Sequence, residues 1–263
     1  MKKITLAVFN VSAIFVVILV LSNCAPNKGG ESTAKMQPSL RVGISTNAPP
    51  LAYKVNGKIQ GLEADFAAQL ATYLGKKLTL VSLPWEKQIP ALEAGKIDII
   101  MSGMTITPKR LYRVAFTKPY LRSGQILLVR ANEARRYSGG IYSLMGDKPP
   151  IGVVENTTGD FFVTKTINRP DLTRFKTSRV AVEALKQGDI DALIHDAPIL
   201  CYYAAMNEGQ LTPILQMATQ ENLAWAVNKM NNDLLMKVNQ FIDEQTKTSG
   251  IKTTVKRWIP YMQ

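Results

Sequence analysis

Cysteine and histidine are almost absent from this chain of 263 residues, which has two cysteines and one histidine, His195. A metal centre with several histidine ligands is therefore excluded. The loop Glu155–Asp160 has one glycine, Gly159, and no Gly-Lys-Ser/Thr ending, which excludes a phosphate-binding loop. We therefore expect no metal and no cofactor. His195 lacks a nearby Ser or Cys nucleophile motif, so no catalytic residue is assigned, and it is either a buried structural residue or a ligand contact.

Charge is almost absent between Ile4 and Leu21, directly after Lys2 and Lys3. A short basic segment followed by an apolar run is typical of an export signal. An alternative is an uncleaved anchor helix, since the run is close to the roughly 18 residues needed to span a bilayer. Both interpretations place the body of the protein outside the cytoplasm.

The apolar run ends in Leu-Ser-Asn-Cys, where a lipoprotein signal peptidase would cut before Cys24. We predict that residues 1–23 are a signal peptide and that Cys24 carries lipid, although Asn23 is unusual before such a cysteine. Residues 24–38 have little to bury and would form a flexible tether. The protein is thus expected to be a membrane-anchored lipoprotein in the periplasm or on the cell surface. Cys201 alone remains in the globular part, which leaves no disulfide there.

Acidic residues are outnumbered, with 20 Asp and Glu against 32 Lys and Arg, for a formal net charge of +12. No run of Lys or Arg interleaved with aromatic residues is present, so a nucleic-acid partner is not expected. A solvated basic face attracted to anionic membrane lipid is the favoured interpretation. We expect a monomer.

Two distant segments repeat one pattern: ALEAGKIDII at residues 91–100 and ALKQGDIDAL at residues 184–193. In each, a helix would end at a left-handed glycine, Gly95 or Gly188, and a mostly apolar run would continue as a buried parallel strand. The repeat predicts two related α/β lobes, each a mostly parallel sheet flanked by helices.

The order of the other segments predicts how the chain is divided between the lobes. Residues 39–122 and 223–263 are assigned to the first lobe and residues 123–222 to the second. The chain would then cross twice, at strands Gly124–Arg130 and Asn222–Val227, to form a hinge. The tail from Asn232 to Trp258 has helical apolar spacing and should pack on the first lobe. Further expected elements are strands Leu40–Ile44, Leu78–Leu83 and Ile97–Met101, strands near Ile151, Leu172 and Asp191, helix Glu63–Leu74, a short helix started by Pro90, and helices near Phe161 and Val180, the last capped by Ser178.

Ligands of open parallel sheets bind beyond the carboxyl ends of the strands. The sequence MSGMTITPKR follows the first repeated strand, and Thr107 and Pro108 would begin a helix there. Arg110 could reach the cleft and hold a carboxylate through two charged hydrogen bonds. It could equally be a surface residue beside Lys109 and Arg113.

The sequence IHDAP follows the second repeated strand. Asp196 could cap the helix that begins near Pro198 or could meet a ligand ammonium. The loop before Asp160 opens another helix, whose free N–H groups could face a ligand carboxylate. Trp85 could form an apolar wall of the cleft or belong to the core.

Five ordered segments between about Leu40 and Trp258 carry a family resemblance. They are PPLAYKVNGKIQGLEADFA, PWEKQIPALEAGKIDIIMSGMTITPKR, FTKPYLRSGQILLVR, NTTGDF and DALIHDAPILCYY. Together they resemble the polar-amino-acid family of extracellular solute-binding proteins that serve ABC importers. The resemblance implies a two-lobed periplasmic-binding-protein fold joined by a two-strand hinge.

The resemblance also implies a site. Arg110 and the amides of Thr105 and Thr158 would hold a ligand carboxylate, and the Gly103 carbonyl, the Thr105 hydroxyl and Asp196 would hold its ammonium. The hinge would consist of Tyr120–Gly124 and Asn222–Trp225. The residues expected to contact ligand are Ser102, Gly103, Thr105, Arg110, Thr158, Gly159, His195, Asp196 and Trp85.

Two positions depart from the family pattern. Ala48 stands where an aromatic residue commonly covers the ligand, so that cover is absent or is supplied by Tyr53 or Trp85. Ser45 stands where binders of basic amino acids often carry a carboxylate. His195 beside Asp196 is similar to the arrangement in glutamine-binding members, and a neutral polar amino acid is the favoured ligand.

The resemblance implies capture of an amino acid by hinge closure and its delivery to an ABC transporter permease, without catalysis. An alternative is an enzyme, because a cyclohexadienyl dehydratase shares the scaffold; Glu155 and His195 would be its acid candidates. A further alternative is a sensor module that a membrane receptor reads.

Overall fold

Two five-stranded sheets organise the protein, seen in a computed structural model that describes residues 38–146, 148–167 and 172–260. The described residues all belong to one compact unit. The predicted signal peptide, Cys24 and all of the predicted tether except Pro38 lie outside them. No helix in the described ranges is both long enough and apolar enough to cross a membrane.

The described residues form fifteen strands and eight helices. The strands are β1 (Ser39–Ile44), β2 (Asn47–Ala48), β3 (Ala52–Val55), β4 (Lys58–Gln60), β5 (Lys77–Ser82), β6 (Ile99–Ile100), β7 (Val114–Phe116), β8 (Leu121–Ser123), β9 (Gln125–Arg130), β10 (Ile151–Val154), β11 (Thr173–Phe175), β12 (Ala192–Asp196), β13 (Leu211–Ile214), β14 (Glu221–Leu223) and β15 (Ala226–Asn228). The helices are α1 (Leu62–Tyr73), α2 (Gln88–Glu93), α3 (Pro108–Leu111), α4 (Thr158–Thr166), α5 (Ser178–Gln187), α6 (Ala197–Met206), α7 (Asn232–Lys247) and α8 (Gly250–Trp258), with 3₁₀ turns at Trp85–Lys87, Ala131–Glu133 and Gly140–Leu144.

The two sheets are built on the same plan. The first has the strand order β5-β1-β6-β15-β7, and β1 runs parallel to both β5 and β6. The second has the order β11-β10-β12-β9-β13, and β10 runs parallel to both β11 and β12. In both, the antiparallel strands lie on one side of the parallel core. The prediction of two α/β lobes with mostly parallel sheets is confirmed.

The repeated segments form the same unit in each sheet. Gly95 follows α2 with φ of 66°, and Gly188 ends α5 with φ of 86°, so both helices stop at a left-handed glycine. The chain then enters β6 or β12, whose residues are buried. A glycine is suited to this position because a Cβ is strained at positive φ.

Two short strands carry the chain between the sheets. β8 leads from the first sheet into the second, and β14 leads back. They pair antiparallel, with Ser123 opposite Glu221 and Leu121 opposite Leu223. This two-stranded ribbon is the hinge that the fold requires.

The carboxyl-terminal helices close the core of the first lobe. Trp225 is fully buried between Phe66 of α1 and Tyr120, with ring centroids 5.4 Å and 5.2 Å away. Phe241 of α7 packs on the same indole at 6.1 Å. Hydrophobic burial on this scale holds the tail against the first sheet. The second lobe has its own cores on the two faces of its sheet, and Cys201 is buried in one of them, where desolvation raises its pKa to about 11.

Three details of the expected elements are wrong. Thr177 caps α5, because its hydroxyl accepts from the Val180 amide at 3.3 Å, while the Ser178 hydroxyl points to Asn47 of the first lobe. The short helix begins at Gln88, after a 3₁₀ turn, so Pro90 lies inside its first turn. The strand expected at Asn222–Val227 is two strands, because Trp225 between them pairs through its backbone with Thr117 instead.

Candidate functional site

A cavity of about 220 Å³ lies between the lobes, beyond the carboxyl ends of β6 and β12. Its walls bring together eight of the nine residues expected to contact ligand: Trp85, Ser102, Gly103, Thr105, Arg110, Thr158, His195 and Asp196. Gly159 does not line it. A Cβ at Gly159 would lie 2.6 Å from the Gln125 side chain and 3.2 Å from the Ile194 carbonyl, so this glycine allows α4 to pack against β12.

A larger and more open groove of about 1390 Å³ runs beside the hinge, between α6 and β13. None of the residues expected to contact ligand lines it. Its size reflects an open shape, whereas the smaller cavity contains the opposed charged groups that a zwitterion needs. The candidate site is therefore the smaller cavity.

Arg110 is held in the first wall of the cavity by the short helix α3. Thr107 caps that helix, and its hydroxyl accepts from the Arg110 amide at 3.3 Å. The guanidinium is largely buried, donates to the Thr105 carbonyl at 2.9 Å and lies over the Trp85 ring at 5.2 Å. Burial lowers the pKa of Arg110, and the carboxylates of Asp196 and Glu221 raise it. A guanidinium in this setting stays charged and suits a carboxylate.

Thr105 lies in a loop that is fastened to the hinge. It forms an antiparallel bridge with Leu223, flanked by backbone hydrogen bonds from Ile106 to Asn222 and from Ala224 to Met104. In such a pair the residue's own N–H and C=O point away from its partner. The Thr105 carbonyl accordingly accepts from Arg110, and its N–H is left for the cavity side.

Asp196 faces these groups from the second lobe, at the end of β12 and the start of α6. Its side chain makes no capping bond to α6, and it accepts a hydrogen bond from the Gln125 side-chain amide instead. Desolvation, followed by the charge of Glu221, raises the pKa of Asp196 to about 7. A ligand cation beside this carboxyl group would lower its pKa and so restore its negative charge.

His195 is buried beside it, and burial lowers its pKa to about 4, so the imidazole is neutral near pH 7. Its Nδ1 has no hydrogen-bond partner among the described residues and lies 3.9 Å from an Asp196 oxygen. The ring lines the cavity wall. A neutral imidazole can act as a hydrogen-bond partner for a ligand without adding charge.

Glu221 was missed by the sequence analysis. It belongs to hinge strand β14, and its two carboxylate oxygens accept from the hydroxyls of Thr105 and Thr158 at 2.6 Å and 3.0 Å and from Gln125 at 3.0 Å. Gln125 was also missed, although it is fully buried and begins β9 directly after the hinge. Nothing in the local sequence marked either side chain, since the partners that join them to the site are 33 to 116 residues away.

Glu63 is a third missed residue, and it contacts the residues behind the cavity wall. It is fully buried in α1 and accepts from the Gly103 amide, from the Tyr120 hydroxyl at 2.6 Å and from the Trp225 indole at 2.9 Å. Desolvation raises its pKa, and these three donors lower it. A carboxylate on the apolar face of a helix, next to Phe66 and Leu70, was the available signal.

The two lobes contact each other around the cavity, so the structure is in a closed arrangement. The Trp85 indole donates to the Asn156 carbonyl at 3.0 Å, and the Ser178 hydroxyl donates to the Asn47 carbonyl at 2.9 Å. Trp85 therefore contacts both Arg110 in its own lobe and the backbone of the other lobe.

The remaining part of the cavity wall combines small side chains with charged ones, Glu86 among them. Ser45 and Ala48 line it, as does Glu155, which pairs with Lys176 at 2.6 Å. Tyr53 does not line it, because its ring packs on Tyr202 and Trp258. Of the two aromatic covers considered from the sequence, the structure places only Trp85 at the cavity.

Comparisons with known proteins agree with this architecture. The L-cystine-binding protein TcyJ of Escherichia coli K12 is 26% identical over 254 residues, which cover 96% of this chain and 94% of that protein. A probable histidine-binding protein of Neisseria gonorrhoeae is 29% identical over 240 residues, 84% of this chain and 87% of that protein. Among solved structures, the ancestral amino acid-binding protein AncCDT-1, described as a precursor of cyclohexadienyl dehydratase, is 31% identical with a TM-score of 0.79, covering 84% of this chain and 95% of that one.

An ancestral arginine-binding protein bound to arginine is 30% identical with a TM-score of 0.75, covering 85% of this chain and 99% of that one. The sequence profile of the bacterial extracellular solute-binding proteins, family 3, matches residues 40–261. That match spans both sheets, the hinge and every residue of the cavity described above. The chain belongs to family 3 of the bacterial extracellular solute-binding proteins.

Proposed function

We propose that this protein captures an amino acid outside the cytoplasm and delivers it to an ABC importer. The observation that carries the proposal is the placement of Arg110 and Asp196 on opposite lobes of one small cavity. A guanidinium and a carboxylate placed in this way match the two ends of a zwitterion. Relatives named as binders of cystine, histidine, arginine and glutamine support the same class of ligand.

The carboxylate end of the ligand is assigned to Arg110 and to two backbone amides. One N–H of the Arg110 guanidinium donates to the Thr105 carbonyl, and its other N–H groups remain to donate to a ligand carboxylate. The Thr105 amide points away from its strand partner, and the Thr158 amide is the first of α4. First-turn amides lack intrahelical acceptors and suit an anion.

The ammonium end is assigned to Asp196, the Thr105 hydroxyl and the Gly103 carbonyl. Gly103 has φ of 65°, and its amide is bound to Glu63, which fixes the Ser102–Gly103 peptide directly before the carbonyl assigned to the ammonium. Ser102, bonded to the Ser45 amide at 2.9 Å, and the neutral His195 complete this wall. Closure would bury both ends of the ligand, with affinity near micromolar, about 8 kcal/mol.

We propose a neutral polar side chain for the ligand. Its support is the pairing of Glu155 with Lys176, which offsets the charge of one of the two glutamates, Glu86 and Glu155, that line the cavity. Ser45 supplies a hydroxyl there and no carboxylate. No chemical step is assigned to the site.

We also propose that Cys24 carries a lipid that anchors a monomeric protein at the outer side of the membrane, with a permease as its partner. The support is the order of basic, apolar and cysteine-containing segments in residues 1–24. Mass spectrometry of protein from a membrane fraction would detect the diacylated Cys24. An intact Met1 in the mature chain would contradict the anchor.

A thermal-shift screen tests the proposed ligand. The amino acids, L-cystine and prephenate are added singly to the purified protein, and each ligand that raises the Tm is then titrated by calorimetry. We expect at least one neutral polar amino acid to bind near micromolar affinity. A protein that responds to none of the amino acids, or that consumes prephenate, would contradict the proposal.

A further inference from the structure

We infer that Glu221 of the hinge is a positioning residue that fixes the ligand-facing hydroxyls of both lobes and joins the lobes when they close. The ligand part of this inference rests on the proposed function. The closure part concerns the protein without ligand and stands independently of it.

The geometry of the Glu221 carboxylate carries the inference. One oxygen accepts from Thr105 of the first lobe at 2.6 Å and from Thr158 of the second lobe at 3.0 Å. The other accepts from Thr219 at 2.8 Å and from Gln125 at 3.0 Å. A single carboxylate on the hinge strand is thus bonded to both lobes at once. These four bonds can coexist only when the lobes are near each other, as in the closed arrangement.

The bond from Thr105 determines what that hydroxyl offers to a ligand. A hydroxyl has one proton, and the short distance to Glu221 assigns the proton to that bond. Only the lone pairs of Thr105 then face the cavity, so the hydroxyl must accept. The Thr105 hydroxyl can therefore bind a ligand ammonium, which donates hydrogen bonds. It cannot bind a ligand group that only accepts them.

Thr158 is ordered in the same way. Its hydroxyl accepts from the Gln125 amide at 3.1 Å and donates to Glu221. The Gln125 amide in turn also donates to Asp196, the other carboxylate at the ammonium end. Glu221 and Asp196 therefore both accept from the Gln125 amide, and once a ligand cation restores the charge of Asp196 the two carboxylates outweigh the single positive charge of Arg110. The field at this end favours a cation.

The test compares ligands with and without the α-amino group. L-glutamine, L-arginine, L-histidine and L-cystine are each paired with the des-amino analogue: 4-carbamoylbutanoate, 5-guanidinopentanoate, imidazole-4-propanoate and 3,3′-dithiodipropanoate. Calorimetry on the full chain gives the affinity ratio of each pair that binds. We expect Glu221→Gln to lower this ratio about tenfold, because the Thr105 hydroxyl is released to rotate. Glu208→Gln, which removes an exposed carboxylate beside the hinge groove, should leave the ratio unchanged. An unchanged ratio in a folded Glu221→Gln protein overturns the ligand part.

Closure is measured without ligand, through the fluorescence of Trp85. Acrylamide quenching reports how exposed this indole is, and subtraction of the Trp85→Phe signal isolates it from the other two tryptophans. We expect Glu221→Gln to raise the quenching constant of Trp85 about twofold, since the lobes lose a shared acceptor. Thr158→Val removes the hydroxyl that joins the second lobe to Glu221, together with its bond from Gln125, but keeps the bonds of Thr105 and Gln125 to Glu221. It should give a smaller increase, and it tests closure even if Glu221→Gln does not fold.

Quenching that is equal in the wild type and in both variants overturns the closure part. If the wild-type protein binds none of the four amino acids but the variants still expose Trp85, the proposed ligand class is contradicted and the role of Glu221 in closure stands. The two failures are therefore distinguishable.

Discussion

The guanidinium of Arg110 lies over the indole ring of Trp85, 5.2 Å from its centroid. The same indole donates its N–H to the Asn156 carbonyl of the opposite lobe at 3.0 Å. The group assigned to the ligand carboxylate is therefore stacked on a ring that also joins the lobes. Binding of the ligand carboxylate at Arg110 and closure of the lobes therefore both involve the Trp85 side chain.

Arg110→Ala should abolish ligand binding while the protein still folds. A buried carboxylate that loses its charged partner costs about 2–5 kcal/mol, which corresponds to a loss of at least about 30-fold in affinity. Calorimetry with an amino acid found in the screen would measure it. Arg113→Ala is the matched control, because Arg113 makes an exposed ion pair with Glu93 and should bind normally. Wild-type affinity in Arg110→Ala would refute the assignment of Arg110 to the carboxylate.

Trp85→Phe should weaken binding about fivefold. The variant keeps an aromatic ring but loses the N–H that reaches Asn156, and one such hydrogen bond contributes about 1 kcal/mol. Stopped-flow kinetics should place most of the change in the dissociation rate, because the bond forms on closure. Trp258→Phe removes an indole N–H that donates to Asp65 outside the cavity and should leave affinity unchanged. An equal loss in both variants would argue against an inter-lobe role for Trp85.

Ligand binding should weaken as the pH falls below about 7. The raised pKa of Asp196, about 7, means that this acid is increasingly protonated below that pH, whereas an ammonium needs the ionised form. Affinity should then fall by up to tenfold per pH unit, and binding at pH 6.5 should release protons in calorimetry with buffers of different ionisation enthalpy. His195, with a pKa of about 4, stays neutral over this range. Asp196→Asn should remove the pH dependence, and a flat wild-type profile between pH 6 and 8 would contradict it.

Glu63→Gln should lower the thermal stability of the protein. The amide replaces one acceptor oxygen with a donor that faces the N–H or O–H groups of Gly103, Tyr120 or Trp225. A buried unsatisfied group costs about 2 kcal/mol, or about 4–8 °C in Tm for a protein of this size. Scanning calorimetry would measure the change. Asp65→Asn, on the same helix but bonded at the surface to Arg257, is expected to shift Tm by less than about 2 °C.

The sequence predicted those parts of the fold that depend on local pattern. The glycine-terminated helix before β6 recurs before β12, and this repeat was enough to predict two related lobes. Apolar spacing from Asn232 onward likewise predicted the helices that cover Trp225. These features are visible because each is determined within a few residues.

The parts that could not be predicted depend on pairs far apart in the chain. Glu221 meets Thr105 across 116 positions, and Trp225 meets Glu63 across 162. Ser178 was expected to cap α5, but its hydroxyl bonds to Asn47, 131 positions away, and Thr177 caps the helix. The Ser178 side chain could have made a local capping bond but makes a long-range one, and only the folded structure shows which of the two forms.

The position of β15 has a consequence for the order in which the protein folds. β15 lies between β6 and β7, and in the described part of the chain β7 pairs with no other strand. The first sheet therefore remains incomplete until residues 226–228 have arrived, whereas every strand of the second sheet lies between residues 125 and 214. When the chain crosses a membrane amino end first, the second lobe can form while the first still lacks the strand that joins β6 to β7. Contacts of long sequence separation form slowly, so the joining of β15 is the step expected to limit the rate of folding.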